Sequence, residues 1–258
     1  MTGNALSDAI ARLAATPRLL VALDFDGTVS PLVDKPSESR VLPAARNAID
    51  ELESLQDTWV AFVSGRPLDG LVRVTEADDS ALLIASHGVE VRLTGGAVDV
   101  GLSTEERSVL DALRERLQRL AADTPGAHVE SKPVGLGLHT RGVAHAEAAT
   151  AQAEARSAAA ELGGFIERGG KDILEFAVRD ATKGDGIEVL RKHVDATAVL
   201  FAGDDVTDED GFAVLDGDDV GVKVGDGETR AGYRVADPFA IAEMLAVLST
   251  SRANRAAQ

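Results

Sequence analysis

Two aspartates separated by a single residue close an apolar run, Leu19-Leu20-Val21-Ala22-Leu23-Asp24-Phe25-Asp26-Gly27-Thr28. The run has the length of a buried strand and is too short to cross a membrane. In an open α/β sheet, ligands bind beyond the carboxyl ends of the strands, so Asp24 and Asp26 are expected at the mouth of a crevice. The two-residue period of a strand points both to one side. Two carboxylates about 4 Å apart repel by about 4 kcal/mol at an effective dielectric constant of 20, so a cation or a shared proton is expected between them. An ordinary strand followed by an Asp-Gly turn would present the same residues without chemistry.

Three further groups stand at the ends of expected elements. Ser64 and Arg66 follow the apolar run Thr58 to Val63, Lys183 precedes Gly184 at the start of a helical pattern, and Gly203-Asp204-Asp205-Val206-Thr207-Asp208-Glu209-Asp210 follows the run Ala198 to Ala202. Each has a plainer reading. Ser64 reads equally as a helix N-cap, Lys183 as a solvated lysine at a helix start, and Arg66 as half of a surface salt bridge. Other patterns fail outright. Gly135-Leu136-Gly137-Leu138-His139 has Thr140 where a dinucleotide fingerprint needs its third glycine, and the five histidines lack zinc-ligand spacing.

The elements that must hold these groups alternate strand and helix. A helix at 4–15, a strand at 19–24, a helix from Pro43 to Leu55, a strand at 58–63, another helix and a strand at 82–85 imply right-handed crossovers and a parallel sheet. Val89 to Leu93 and Ala97 to Val100 flank Thr94-Gly95-Gly96, a hairpin signal. The pattern then changes to helix (104–123), two strands (127–132 and 134–141), helix (142–161) and two strands (164–168 and 172–178). This αββαββ insert reads as a small α+β cap, a lid over the first unit. After Thr182 the first pattern resumes, with strands at 198–202, 219–224 and 233–235 and a closing helix from Pro238. The expected fold class is therefore α/β, a Rossmann-like parallel-sheet core at 1–101 and 181–258 with a cap domain at 102–180.

Alternation divides the insert's strands into two faces. Val129, Val134, Leu136, Leu138, Leu174, Phe176 and Val178 form an apolar face for the two helices. Glu130, Lys132, Gly135, Gly137, His139, Arg141, Lys171, Ile173 and Glu175 form the other. That face reads as a solvated surface or, if it meets the aspartates, as a source of hydrogen bonds to several hydroxyls.

Composition narrows the partners. A formal net charge of -17 argues against nucleic acid, and a phosphate ligand would need local positive charge from a metal and a few chosen Lys and Arg residues. The absence of cysteine excludes disulfides and thiolate chemistry and suits a reducing cytosol. The first residues do not read as a signal peptide and no run reaches spanning length, so a soluble, cytoplasmic protein without membrane contact is expected.

Taken together and in this order, Asp24 with Asp26, Ser64, Lys183 and the Asp204 loop resemble the four motifs of the haloacid dehalogenase (HAD)-like phosphohydrolases. The resemblance covers essentially the whole chain. It implies that Asp24 is the nucleophile of a phospho-aspartate route, Asp26 the general acid and base, and Ser64 and Lys183 the groups that hold phosphate oxygens, with Thr28 and Arg66 as substrate-binding residues. It also implies Mg²⁺ held by Asp24, the backbone carbonyl of Asp26 and Asp204, with Asp208 part of the metal site by holding a metal-bound water. Asp205 is left as a more distant support or a partner of Lys183.

The stretches Gly203 to Asp210, Ser86-His87-Gly88-Val89-Glu90-Val91-Arg92, Glu130 with Lys132, His139 with Arg141, and Gly170-Lys171 leading to Glu175 are similar to those of the trehalose-6-phosphate phosphatases. The family commonly has Arg-Pro where Ala177-Val178 stand here, and Asp where Thr182 stands. The resemblance implies hydrolysis of trehalose 6-phosphate to trehalose and phosphate. Glu130, Lys132 and Glu175 would hold sugar hydroxyls, His87 and Gly88 would lie near the entrance, and a functional link to trehalose-6-phosphate synthase follows. Two alternatives stay open: a phosphatase for another sugar phosphate, of the sucrose 6-phosphate or mannosyl phosphate type, and a non-catalytic sugar-phosphate sensor.

Overall fold

The structure, a computed structural model, describes residues 2–94, 96–98, 102–170 and 172–256. Gly95 of the expected hairpin turn, Asp99 and Val100 of its second strand, and Lys171 lie outside the described residues. The chain divides into two compact units, residues 1–98 with 181–258, and residues 99–180.

The first unit is a sheet in the order β12-β11-β10-β1-β2-β3-β4-β5. Its strands are β1 (Leu19–Leu23), β2 (Thr58–Val63), β3 (Leu82–Ala85), β4 (Glu90–Leu93), β5 (Gly96–Val98), β10 (Ala198–Gly203), β11 (Val220–Val224) and β12 (Tyr233–Val235). All pairings are parallel except those of β3 with β4 and β4 with β5. The hairpin expected near residue 90 therefore extends this sheet. The helices are α1 (Thr2–Ala15), α2 (Pro43–Glu53), α3 (Leu68–Thr75), α6 (Lys183–Val194), α7 (Asp208–Ala213) and α8 (Pro238–Ala256).

Both faces of the sheet are covered, which is why its central strands are apolar throughout instead of alternating. Leu19, Val21 and Leu23 join a cluster with Ile10 and Leu13 of α1, Ile49 and Leu52 of α2 and Leu245 and Leu248 of α8. Leu20 and Ala22 face the other way, toward Ile187 and Leu190 of α6 and Phe212 of α7. Chain order runs outward from β1 to β3 on one side and returns through β10 on the other, so β1 and β10 flank the switch point where such sheets bind ligands.

The second unit is a four-stranded antiparallel sheet in the order β6-β7-β9-β8. Its strands are β6 (His128–Lys132), β7 (Gly135–His139), β8 (Ile166–Gly170) and β9 (Ile173–Ala177), joined by α4 (Thr104–Asp123) and α5 (His145–Leu162). Leu136, Leu138, Leu174 and Phe176 pack on Leu110, Leu113 and Leu117 of α4 and on Ala151, Ala155 and Ala159 of α5. Small residues on α5 bring that helix close to the sheet. Ser103 and Glu106 form a capping box at the start of α4, and Glu106 also accepts from Arg179 Nε at 2.7 Å and Nη2 at 2.6 Å. These bonds hold the Glu106 carboxyl down at about 2 and tie α4 to the segment after β9.

The second unit's core is small, so one side chain carries much of it. Phe176→Ala should destabilise this unit by about 3–5 kcal/mol. Hydrogen exchange should show protection falling across β7, β9 and α4 while amides of β1 and β10 keep theirs.

Candidate active site

The β1 ladder continues into Asp24, whose N–H donates to Ala202 O of β10 at 2.9 Å. Its carboxylate is buried there, with Oδ1 accepting from Lys183 Nζ at 2.7 Å and Oδ2 from Thr28 Oγ1 at 3.2 Å. Lys183 is the first residue of α6, a helix capped by a reciprocal pair between Thr182 and Asp185. Only 3% of Lys183 is exposed, which removes the reading of a solvated helix-start lysine. Its ammonium also donates to Asp208 Oδ1 at 2.7 Å. Asp208, fully buried at the start of α7, accepts from Asp205 N through its other oxygen at 2.8 Å. The partner of Lys183 in the acidic loop is thus Asp208; Asp205 turns its carboxylate to Val206 N at 2.7 Å.

Oxygens of Asp24, Asp204 and Asp208 all lie within 4.8 Å of one another. Gly27 makes room for this: it has a φ of +82°, and a Cβ there would stand 2.1 Å from Asp204 Oδ2. Three carboxylates, two of them buried and Asp204 half-buried, crowd around one lysine. Burial, with Asp208 and Asp204 acting the same way and Lys183 opposing, pushes the Asp24 carboxyl up to about 8. Burial also raises Asp204, helped by Asp208 and Asp205. For Lys183, burial pulls the ammonium down, but Asp24 and Asp208 outweigh it and hold its pKa above the usual lysine value. All three directions say that the cluster favours added positive charge, and an all-oxygen donor set suits a hard divalent cation.

Asp24, Lys183, Asp204 and Asp205 border a cavity of about 260 Å³, which Asp26, Ser64, Arg66, His87 and Thr207 also line, while Asp208 stays buried behind it. Asp26 is forked by Arg66, from Nε at 2.6 Å and Nη2 at 2.7 Å, and accepts from Ser39 Oγ at 3.2 Å. Arg66 is therefore committed to a carboxylate of the same cavity, not to one on the outer surface. Ser64 is not a helix cap, because α3 begins after Pro67; its Oγ accepts from Arg66 N at 3.1 Å. Thr28 is fully buried against Asp24 and is not among the residues lining the cavity.

His87 reaches the cavity from an unusual backbone. Ser86, His87 and Gly88 have φ values of 49°, 57° and 104°, three consecutive residues in the left-handed region. For the two with side chains this costs roughly 1–2 kcal/mol each, and such strain persists only where surroundings enforce it. Here Ser86 N donates to Arg66 O at 2.8 Å and His87 N to Ser64 O at 3.0 Å. Gly88 lies against the Thr182 carbonyl, 2.1 Å from where a Cβ would sit.

In the second unit, the register sets Glu130, Gly137 and Glu175 in one row. Glu175 pairs with Lys132, and Glu130 lies 2.8 Å from His139 Nε2. The expected polar face thus carries paired polar groups, and its two glycines, Gly135 and Gly137 of β7, are buried.

Sequence reasoning missed Lys223. It is buried at the end of β11 and donates to the carbonyls of Asp204 and, at 3.4 Å, Asp205. Its signal was a lysine in Val220-Gly221-Val222-Lys223-Val224, a strand that is otherwise apolar.

Residues 22–238 match the family described as trehalose-phosphatase. A trehalose-6-phosphate phosphatase-related protein of Thermoplasma acidophilum is 30% identical over 226 residues, 88% of this chain and 95% of the relative. A bifunctional trehalose-6-phosphate synthase/phosphatase of Thermoproteus tenax is 31% identical over 230 residues, 87% of this chain but only 31% of that longer protein. A crystal structure of a trehalose-6-phosphate phosphatase-related protein superposes with a TM-score of 0.66 at 26% identity, covering 92% of this chain and 99% of the other. The structure of Aspergillus fumigatus trehalose-6-phosphate phosphatase, 22% identical, shares the fold with a TM-score of 0.70 over 95% of this chain and 97% of its own. With that match spanning most of its length and these acids at the switch point, the chain belongs to the trehalose-phosphatase family.

Proposed function

We propose that this chain hydrolyses trehalose 6-phosphate to trehalose and phosphate, in the cytoplasm, with Asp24 as nucleophile. One observation carries the reading: a buried carboxylate at the switch point shares a lysine with Asp208 and lies beside Asp204. A carboxylate is a weak nucleophile, and alignment with a phosphorus whose charge is neutralised makes its attack feasible. Asp24 would form the phosphoryl bond as the sugar oxygen leaves. Asp26 would protonate that oxygen and later take a proton from the attacking water, once its Arg66 fork opens. Ser64 and Lys183 would donate to phosphate oxygens as charge develops.

Asp24, Asp204 and Asp208, with the Asp26 carbonyl, are the groups we assign to Mg²⁺. Bound there, the ion would offset phosphate charge and bring the Asp24 carboxyl down to an ionised, attacking form. The second unit is the specificity cap in this reading. Glu130, Lys132 and Glu175 would hold sugar hydroxyls there, while His87 and Gly88 would border the entrance. The longer Thermoproteus tenax relative, with its bifunctional name, supports a functional link to trehalose-6-phosphate synthase. The cysteine-free composition accords with the cytoplasmic assignment.

Phosphate release from a panel of sugar phosphates, with and without Mg²⁺, tests the substrate. Trehalose 6-phosphate should be the best, only with Mg²⁺; equal turnover of a monosaccharide phosphate would sink the disaccharide assignment. Asp24→Asn should abolish release, and Asp26→Asn should slow it about 10²–10⁴-fold. Normal turnover in either would refute its role.

The charge at Asp24 sets a second test. Its ordinary value is 3.8 and its folded one about 8, so the folded state holds a proton that the unfolded state has lost. Without divalent cations, stability should therefore fall as pH rises from about 4 to about 8. Thermal midpoints in chelator at pH 5 and pH 8 should show that drop in the wild type and a smaller one in Asp24→Asn. Equal drops in the two proteins would contradict the assignment.

A further inference from the structure

Glu90 touches none of the reacting groups, yet it holds the strained turn beside them. Its Oε2 accepts from Ser86 Oγ at 2.6 Å and from Leu68 N at 3.1 Å. Leu68 opens α3, whose N-cap is Pro67 and receives no side-chain cap, so Glu90 supplies an acceptor that the helix lacks locally. The same oxygen thus pins the helix start that follows the Ser64 loop and the first residue of the left-handed turn.

That turn is the link between two parts of the site. Ser86 and His87 donate their N–H groups to the Arg66 and Ser64 carbonyls, and Gly88 packs on the carbonyl of Thr182, the residue before Lys183. Positive φ at Ser86 and His87 is disfavoured for side-chain-bearing residues, so the turn relaxes toward extended backbone unless held. Relaxation at Ser86 would carry both amides away from the carbonyls that fix Ser64 and Arg66, and Arg66 in turn forks Asp26.

We propose that Glu90 is a positioning residue for phosphoryl transfer, holding the left-handed Ser86–Gly88 turn that spaces the Ser64–Arg66 loop from the Lys183 helix. It rests on the function proposed above. Its action is on geometry present in the transition state, so its loss lowers kcat more than it alters KM.

The test compares wild type, Glu90→Ala, Glu90→Gln and the double variant Glu90→Ala with Ser86→Gly, with Mg²⁺, on trehalose 6-phosphate and on p-nitrophenyl phosphate. Glu90→Ala should lose about 10–10² fold in kcat, the scale of a small misplacement at a reacting centre, with KM within about threefold. Glu90→Gln keeps an acceptor oxygen and should stay within about threefold of wild type. The added Ser86→Gly should recover about tenfold over Glu90→Ala, because glycine adopts positive φ without strain. Circular dichroism and thermal midpoints establish the folded fraction. If Glu90→Ala does not fold, Glu90→Asp, which keeps the charge and shortens the reach, takes its place with the same loss and rescue expected.

A folded Glu90→Ala with kcat within about twofold of wild type would overturn the proposal and leave the phosphatase reading intact. A loss that neither Gln nor the Ser86→Gly change relieves would also overturn it, marking a merely structural role. Wild-type protein without turnover of either ester would overturn both readings.

Discussion

A single buried ammonium joins the parts of the core that do chemistry. Lys183 can stay out of water only because Asp24 and Asp208 each meet it at 2.7 Å. Breaking one side of such a buried pair leaves an uncompensated charge, so the three positions constrain one another. That requirement fixes the end of β1, the first turn of α6 and the first turn of α7 in one place. The capping box at Thr182 and Asp185 then sets the direction in which α6 leaves.

The wider charge balance gives this arrangement its sense. A chain with a formal net charge of -17 offers a poor general attraction for an anion. Its positive charge near the cavity is instead fixed by partners: Lys183 on carboxylates, Arg66 on Asp26, Lys223 on backbone carbonyls. Preset groups of this kind need little rearrangement when charge develops nearby. The Lys223 ammonium also draws the Asp204 carboxyl down against the burial that raises it.

Much of the architecture was legible because burial leaves simple traces. β1, β2 and β10 are covered on both faces and so read as continuous apolar runs, while β9 alternates buried and half-buried positions and β7 sets its leucines between glycines and a histidine. The order of the acids and the lysine pointed to one site. What was illegible depended on contacts between distant positions or on backbone angles. Nothing near Arg66 announces Asp26, 40 positions away, as its partner. α7 has only six residues and three acids, too short for a helical period to emerge. In the Ser86–Gly88 turn only the glycine hints at positive φ, and Ser and His adopt it through contacts that a local pattern does not contain.

Asp24 and Lys183 are 159 positions apart. β1 cannot gain its β10 neighbour until the whole 99–180 unit has been synthesised, since β10 begins at Ala198. During synthesis the strand that carries Asp24 must wait with one edge unpaired, an interval in which apolar strands are prone to aggregate. The Lys183 contacts therefore close late, and a chain that has formed them has completed the central pairing of its sheet.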